Sequence, residues 1–404
     1  MSFALDDLRS DLVDLRRELH TNPEVGLDLP WTQQRILHAL DGLPLEISTG
    51  TALSSITAVL RGGRRRDEDA PVVLLRADMD GLPVTEDTGL DYAATTGTMH
   101  ACGHDLHMAM LVGAARALCA DKDELPGDVV FMFQPGEEGH DGAGLMLEEG
   151  VLEAAGRRAD AAYALHVWSA LEPNGTFCTK PGTIMSASDR LTVTVIGRGG
   201  HGSAPHTAKD PVPPLCEMAL GLQVMLARHF DVFDPAVITV GSIHAGSACN
   251  VIPESGMLDA TVRSFSTATQ DKLFELIPQV ITGIADQHGV RAEIDLRRQY
   301  PATVNDEQED AFVAQTVAEV FGQDSQARWS SPLTASEDFS RVLQAVPGAF
   351  IGLSAVPADA DHITSPFNHS AMAIFDDDVL VDGARLFVEL TTRRLAALAD
   401  QNTD

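Results

Sequence analysis

The stretch that decides the fold is a short apolar run followed directly by charged residues, Val72-Val73-Leu74-Leu75-Arg76-Ala77-Asp78-Met79-Asp80-Gly81. Four consecutive aliphatic residues are typical of a strand buried on both faces, because a half-exposed strand would alternate apolar and polar residues. Further apolar runs of strand length occur at residues 129–133, 161–165 and 349–353, with helical patterns at 107–118 and 379–398. This alternation predicts an α/β sheet covered by helices on both faces.

Polar side chains follow the ends of these apolar runs. Glu137 and Glu138 come after the second run, His166 after the third, and His369 lies in the loop after the fourth. Open α/β sheets place their binding sites at the carboxyl ends of the strands. We therefore expect these segments to meet in one site.

The middle of the chain has a different pattern. Strands are predicted at residues 191–196, 236–243, 256–265 and 290–297, and helices at 211–229 and 269–288. The order strand-helix-strand-strand-helix-strand is that of a ferredoxin-like α+β domain. We expect a catalytic domain made of residues 1–186 and 299–404, interrupted by an inserted domain of residues 187–298.

Composition restricts the partners and the location. A formal net charge of −31 over 404 residues would repel phosphates, which excludes nucleic acid as a partner. No apolar run approaches the roughly 20 residues that span a bilayer, and acidic residues near the N-terminus do not fit a signal peptide. The sequence thus predicts a cytoplasmic protein with no membrane partner. Five irregularly spaced cysteines argue against a disulfide framework, and four are predicted to be small buried apolar residues: Cys119, Cys178, Cys216 and Cys249.

The remaining cysteine lies in a segment rich in metal-binding side chains, His100-Ala101-Cys102-Gly103-His104-Asp105-Leu106-His107. Thiolate, imidazole and carboxylate are ligands of Zn and of other first-row divalent metals. Cys102 and His104 lie two residues apart around Gly103, so both side chains can face one ion. His100 and His107 are predicted to have structural or supporting roles.

The adjacent carboxylates Glu137 and Glu138 suit a hydrolytic metal site. Such a site needs one carboxylate on the metal and another that accepts a proton from the attacking water. Taken alone the pair could be a solvated acidic turn, and His166 and His369 could be core histidines. Their shared place at the strand ends favours the metal site.

Eight strings occur in order along the chain: RADMDGLP, HACGHDLH, QPGEEG, ALHVW, GRGGHGSAPH, NVIP, ASEDFS and NHS. From about residue 15 to residue 395 the sequence resembles the dimetal aminoacylase-like amidohydrolases, which include hippurate hydrolases and auxin-conjugate (indole-acetyl-amino-acid) hydrolases. The resemblance implies a mixed-sheet catalytic domain and an inserted lid domain that mediates dimerisation. It also implies hydrolysis of an N-acyl amino acid to a carboxylic acid and an amino acid.

The same resemblance assigns roles in the catalytic domain. Glu137 matches the general base, and Asp78 matches the residue that orients a ligand and supports the base. Cys102 would lie between two divalent ions. The implied metal ligands are Cys102, His104, Glu138, His166 and His369.

Four residues of the insert match positions that contact the substrate. His201 matches a lid histidine that stabilises the oxyanion in the partner subunit's site, and His206 is a further candidate. Asn250 and Arg263 match positions that hold the substrate carboxylate, a task that suits the guanidinium fork. The expected partners are an N-acyl amino acid and a second copy of the chain.

Two departures from the family pattern leave the ligand set intact. Gly136 stands where the family commonly has Ala, and Ser370-Ala371-Met372 follows His369 where the family often has Pro.

The alternative functions are a dipeptidase or carboxypeptidase with the same two ions, a non-catalytic homologue that binds acyl-amino acids, and a cysteine hydrolase. The general base argues against the second, and the spacing of Cys102 and His104 argues against the third. The sequence does not choose among Zn, Mn, Co and Ni.

Overall fold

The computed structural model describes residues 5–65 and 69–401. These residues divide into two units, of which the second interrupts the first along the chain. The first unit comprises the residues up to 184, 304–331 and those from 338 onwards, and the second comprises 185–303 and 332–337. Each unit has its own hydrophobic core.

An eight-stranded mixed sheet forms the centre of the first unit. Its strands are β1 (Leu45–Thr49), β2 (Ile56–Leu60), β3 (Val72–Asp78), β4 (Asp128–Gln134), β5 (Ala161–Trp168), β6 (Phe177–Thr179), β15 (Gln326–Arg328) and β16 (Gly348–Ser354). The strand order is β1-β2-β4-β3-β5-β16-β6-β15, and β4, β3, β5 and β16 are mutually parallel. Every residue of these four strands is buried, as expected for a sheet covered on both faces. The predicted α/β class is therefore confirmed.

The helices that flank this sheet are α1 (Arg9–His20), α2 (Pro30–Ala39), α3 (His104–Ala120), α4 (Gly142–Glu148), α7 (Glu307–Val320), α8 (Ser340–Ala345) and α9 (Leu380–Gln401). The predicted helices at 107–118 and 379–398 correspond to α3 and α9. These two helices contact each other and both contact β3. Nearly all of α3 is buried, which explains why its own apolar residues lie on all sides of the helix and not in a single stripe.

The second unit is ferredoxin-like, as predicted. Its elements in chain order are β8 (Ala187–Ile196), α5 (Val212–His229), β10 (Ala236–Ala245), β12 (Ser255–Ser264), α6 (Thr267–His288) and β13 (Arg291–Tyr300). The strands form an antiparallel sheet in the order β10-β12-β8-β13. Along β12, Leu258 and Val262 are buried while Met257 and Thr261 are exposed, so one face of the sheet packs in the core.

Short strands form two further pairs. In the second unit β9 (Gly200–His201) pairs with β11 (Val251–Ile252). A pair formed by β7 (Gly182–Met185) and β14 (Thr303–Asn305) lies where the chain passes from one unit to the other. Over the described residues, every helix is too short or too polar to cross a bilayer.

The prediction that four cysteines are buried is wrong for two of them. Cys119 and Cys178 are buried, but Cys216 and Cys249 are exposed. Cys216 lies on α5 directly after the buried Leu215 and therefore points to another side of that helix. Cys249 lies in the turn before β11.

Candidate metal centre

The carboxyl ends of the parallel strands and the loops after them bring the five predicted ligands together in the first unit. The ligand atoms of Cys102, His104 and His166 lie within 4.8 Å of one another, and those of Cys102, Glu138 and His369 do the same. Cys102 is common to both groups, so its thiol could serve ions held by either group. A third group joins His104 to Glu137 and Glu138, so the predicted base lies beside the ligands.

Backbone carbonyls determine which nitrogen two of the histidines present. Nδ1 of His104 lies 2.8 Å from the carbonyl oxygen of Asp80, and Nδ1 of His166 lies 2.9 Å from that of Val167. A carbonyl only accepts, so each Nδ1 carries a hydrogen, and in the neutral ring each Nε2 keeps its lone pair. Nε2 of His104 is buried and has no hydrogen-bond partner among the described residues. Nε2 of His166 lies 3.4 Å from Sγ of Cys102. In its neutral form each of these histidines thus presents Nε2 for a metal.

His369 lies beside the thiol of Cys102 and the carboxylate of Glu138. Its Nε2 lies 3.1 Å from a carboxylate oxygen of Glu138. Hydrogen bonds to Cys102 and Glu138 raise the pKa of His369 to about 10. Its backbone has a φ of +73° and is anchored by a 2.8 Å hydrogen bond from its N–H to the carbonyl of Ala101. The groups that favour a proton on His369 would also favour a metal cation there. A set of one thiolate, three imidazoles and a carboxylate fits a first-row divalent metal.

Asp80 is a site residue that the sequence analysis missed. Its carboxylate accepts hydrogen bonds from the backbone N–H groups of Glu137 (3.0 Å) and Glu138 (3.1 Å), and its carbonyl accepts from His104. One buried residue thus fixes both a histidine ligand and the turn that carries the carboxylate pair. Its place two residues after Asp78, at the same strand end, was the available signal.

Asp78 itself is buried between Arg76 and His107. Its two carboxylate oxygens each lie 2.5 Å from one of these side chains, and Nε2 of His104 lies 3.5 Å away. Burial alone would raise the pKa of Asp78, but Arg76 and the two histidines hold it well below its usual range. Asp78 is therefore an ionised neighbour of the site.

The two remaining histidines of the 100–107 segment, His100 and His107, are both buried. His107 donates from Nδ1 to Asp78 and accepts at Nε2 from the backbone N–H of Val167 at 2.8 Å, so both of its nitrogens are used within the protein. His100 is buried, and burial lowers its pKa to about 4. His107 therefore has the contacts of a supporting residue, whereas both ring nitrogens of His100 are buried without a hydrogen-bond partner among the described residues.

Asn368 is a second residue that the sequence analysis missed. Its side-chain amide donates to the carbonyls of Cys102 (3.3 Å) and Val167 (2.9 Å), and its oxygen accepts from the N–H of Ser169 (3.0 Å). It therefore ties the loop that carries His369 to the ends of two other site segments.

Two of the predicted insert residues are neighbours in the second unit. His201 is exposed and pairs with Val251 across β9 and β11, while the carbonyl of Asn250 accepts from Gly202 at 2.8 Å. Nδ1 of His201 accepts a hydrogen bond from the N–H of Ser203 at 3.1 Å. In the neutral ring the hydrogen is consequently on Nε2, which can donate to an anion.

The other two insert residues differ in burial. His206 lies exposed in a short 3₁₀ turn, Pro205–Thr207. Arg263 is half-buried on β12, and its Nη1 is buried without a hydrogen-bond partner among the described residues. Burial lowers the pKa of Arg263, an effect opposed by Asp189. A partly desolvated guanidinium of this kind is suited to a carboxylate ligand.

Gly103 offers a test of the local geometry between Cys102 and His104. It has a φ of +82°, and a Cβ there would overlap Cγ2 of Val167. We expect Gly103→Ala to lower the free energy of unfolding by about 2–4 kcal/mol, from left-handed strain plus overpacking. Gly97 has the same φ of +82° with no atom near its Cβ position, so Gly97→Ala reports the strain alone. Equal losses for the two variants in urea unfolding would contradict the predicted clash.

Comparison with known proteins places this site in context. Residues 74–393 match the model of peptidase family M20/M25/M40. The chain is 34% identical to thermostable carboxypeptidase 2 of Saccharolobus solfataricus over 92% of each chain. It is also 34% identical to IAA-amino acid hydrolase ILR1-like 5 of Arabidopsis thaliana, over 96% of this chain and 88% of the relative. The solved structure of the YXEP protein of Bacillus subtilis, described as a dinuclear metal binding peptidase, superposes with a TM-score of 0.81 at 29% identity over 97% of this chain and 99% of that one.

Proposed function

Because the chain belongs to peptidase family M20/M25/M40, we propose that it is a hydrolase of N-acyl amino acids that releases a carboxylic acid and an amino acid. The observation that carries the proposal is the position of Glu137 beside two ligand groups that share Cys102. A protein that only bound an acyl-amino acid would have no need of a base there. The relative described as an IAA-amino acid hydrolase supports the substrate class.

The family and the dinuclear relative support a centre of two divalent ions, which we take to be Zn, Mn, Co or Ni. When bound, such ions would lower the pKa of a water molecule towards about 7 and polarise the scissile carbonyl. Cys102, His104, Glu138, His166 and His369 would hold them. This leaves Glu137, which is buried and fixed by the bond from its N–H to Asp80, to act on protons.

The protein's own groups account for the proton transfers. The carboxylate of Glu137 accepts the proton of the attacking water and then delivers it to the nitrogen of the leaving amino acid. As the resemblance implies, His201 of the partner subunit would donate from Nε2 to the oxygen of the tetrahedral intermediate, an interaction that can contribute about 3–4 kcal/mol. Asn250 and Arg263 bind the free carboxylate next to the scissile amide.

We expect Arg263→Met to raise KM by about 10–100-fold, because a hydrogen bond to a charged group contributes about 1.5–3 kcal/mol. The variant should act on an N-acyl amino acid amide, which lacks the carboxylate, as well as the unmodified enzyme does. Arg190→Met is the matched control, since Arg190 lies on the same sheet and pairs with Asp259 at the surface. An equal loss on the acid and the amide would remove Arg263 from carboxylate binding.

A carboxypeptidase is the second candidate, because a relative described as one is as similar to this chain as the IAA-amino acid hydrolase is. The deciding experiment is the release of free amino acid from a panel of N-acyl amino acids and peptides, with protein reconstituted with each metal. Hydrolysis of the N-acyl substrates that a chelator abolishes would support the proposal. Activity confined to peptides would favour the carboxypeptidase, and activity that a chelator leaves intact would favour a cysteine hydrolase.

We also propose a homodimer formed through the second unit, in the cytoplasm. The edge strand β10 exposes Val237 and Ile243, and unpaired edge strands readily add a further strand. Sedimentation equilibrium would test the dimer. A monomer at micromolar concentration would contradict it.

A further inference from the structure

The turn that carries Glu137 and Glu138 is held at both of its ends by one residue from a distant part of the chain. This carboxylate turn, residues 135–141, follows Gln134 at the end of β4 and precedes α4. The carboxylate of Asp338 accepts from the side-chain amide of Gln134 at 2.9 and 2.7 Å and from the N–H of Ala143 at 2.9 Å. Asp338 thus joins the residue before the turn to the start of the helix after it.

A second residue near Asp338 in the sequence forms an ion pair with the carboxylate turn itself. Arg341 donates to both carboxylate oxygens of Asp141, from Nε at 3.0 Å and from Nη2 at 2.7 Å. The N–H of Arg341 donates to the carbonyl of Asp338 at 2.9 Å, so the two gripping residues form one folded segment. We call residues 338–341 the brace.

Buried charge fixes the inner end of the brace. Asp338 and Arg76 are both fully buried, with Nη2 of Arg76 3.0 Å from Oδ1 of Asp338. Arg76 also donates from Nε to the side-chain oxygen of Gln134 at 2.9 Å, which closes a triangle of three buried side chains. The guanidinium compensates the carboxylate, and the fixed geometry of both restricts where Gln134 can lie.

The carboxylate turn has left-handed backbone at three residues, with a φ of +73° at Gly136, +85° at Gly139 and +55° at Asp141. Glycine adopts this conformation without strain, but at a non-glycine residue such as Asp141 it depends on the surrounding contacts. The ion pair with Arg341 is such a contact. The carboxylate oxygens of Glu137 and Asp338 lie within 4.8 Å of each other, so the brace reaches the immediate surroundings of the base.

We propose that Asp338 and Arg341 are positioning residues, which act through the carboxylate turn to hold Glu137 where it accepts the proton. A base displaced by a fraction of an ångström loses much of its effect, whereas substrate binding does not depend on it. The catalytic part of this inference rests on the proposed function. The structural part, that the brace orders the turn, does not.

The test compares Arg341→Met and Arg341→Lys with a matched control, Arg393→Met. Arg341 and Arg393 have side chains 32% and 35% exposed, and each pairs with carboxylates, so neither substitution buries a charge. Asp338→Asn keeps the size of the buried side chain but replaces one of its two acceptor oxygens with a donor NH2 group. Amide hydrogen exchange over residues 135–143 is measured on the metal-loaded protein without substrate, followed by kcat, KM and metal content.

We expect Arg341→Met to speed exchange in the turn by about 10-fold or more as local opening becomes easier. In the same variant kcat should fall by about 10-fold with KM and metal content unchanged. Arg341→Lys should restore part of the slow exchange and part of kcat. Asp338→Asn should change both quantities more than Arg341→Met does, and Arg393→Met should change neither the exchange rate nor kcat.

Unchanged exchange in the turn of Arg341→Met would overturn the brace, and faster exchange with kcat unchanged would overturn the positioning role. If Asp338→Asn does not fold, Arg341→Met still decides the question. If no N-acyl amino acid is hydrolysed by the unmodified protein, the proposed function fails, while the exchange measurement continues to test the brace.

Discussion

Replacing Glu137 with Gln is expected to lower kcat by about 10²–10⁴-fold, the contribution of a well-placed general base. The amide has the size of the carboxylate but cannot accept a proton from water. Because Glu137 matches the base and not a ligand, metal content should remain that of the unmodified protein. Turnover by both forms in a continuous assay, with metal counted by mass spectrometry, measures the two effects separately.

The control for this result is Glu148→Gln, which makes the same change at an exposed position on the neighbouring helix α4. Its kcat should be unchanged. If Glu137→Gln retained full turnover with metals bound, the proton would have to be taken by another group. If it lost its metals, Glu137 would be a ligand.

Cys102→Ala should have the largest effect on metal binding, because the thiol belongs to both ligand groups. We expect affinity to fall by more than about 100-fold, since even a group that only hydrogen-bonds a ligand contributes about 10–100-fold. Metal bound per chain after dialysis against a weak chelator is the measurement. Cys119→Ala is the control, because burial raises the pKa of that thiol to about 12 and keeps it protonated. Two ions per chain in Cys102→Ala would reject the shared thiolate.

The parts of this molecule that follow from the sequence are those with a local signal. Runs such as Val72 to Leu75 identify the parallel strands because four consecutive aliphatic residues need burial on both faces. A different signal, the alternation of apolar and polar residues, identifies the strands of the insert. By contrast β1 was missed, because it is a five-residue edge strand with mostly exposed side chains and no buried run.

In the site, residue chemistry and spacing marked Cys102 and His104 without any structure. Asp80 was missed because two aspartates lie two residues apart and only the path of the strand end decides which one reaches Glu137. The contact between Asp338 and Gln134 joins positions 204 residues apart, and a single sequence holds no signal for a pairing at that range.

The place of β16 in the sheet has a consequence for biosynthesis. This strand comes last in the chain, yet it lies between β5 and β6. About 180 residues separate β5 from β16, so at about 5–20 residues per second the ribosome needs roughly 10–40 s to supply the missing strand. During that interval the insert can finish folding, while the edge of β5 that later pairs with β16 remains unpaired. His369 emerges later still, so the full set of five candidate ligands is present only after β16 has been synthesised.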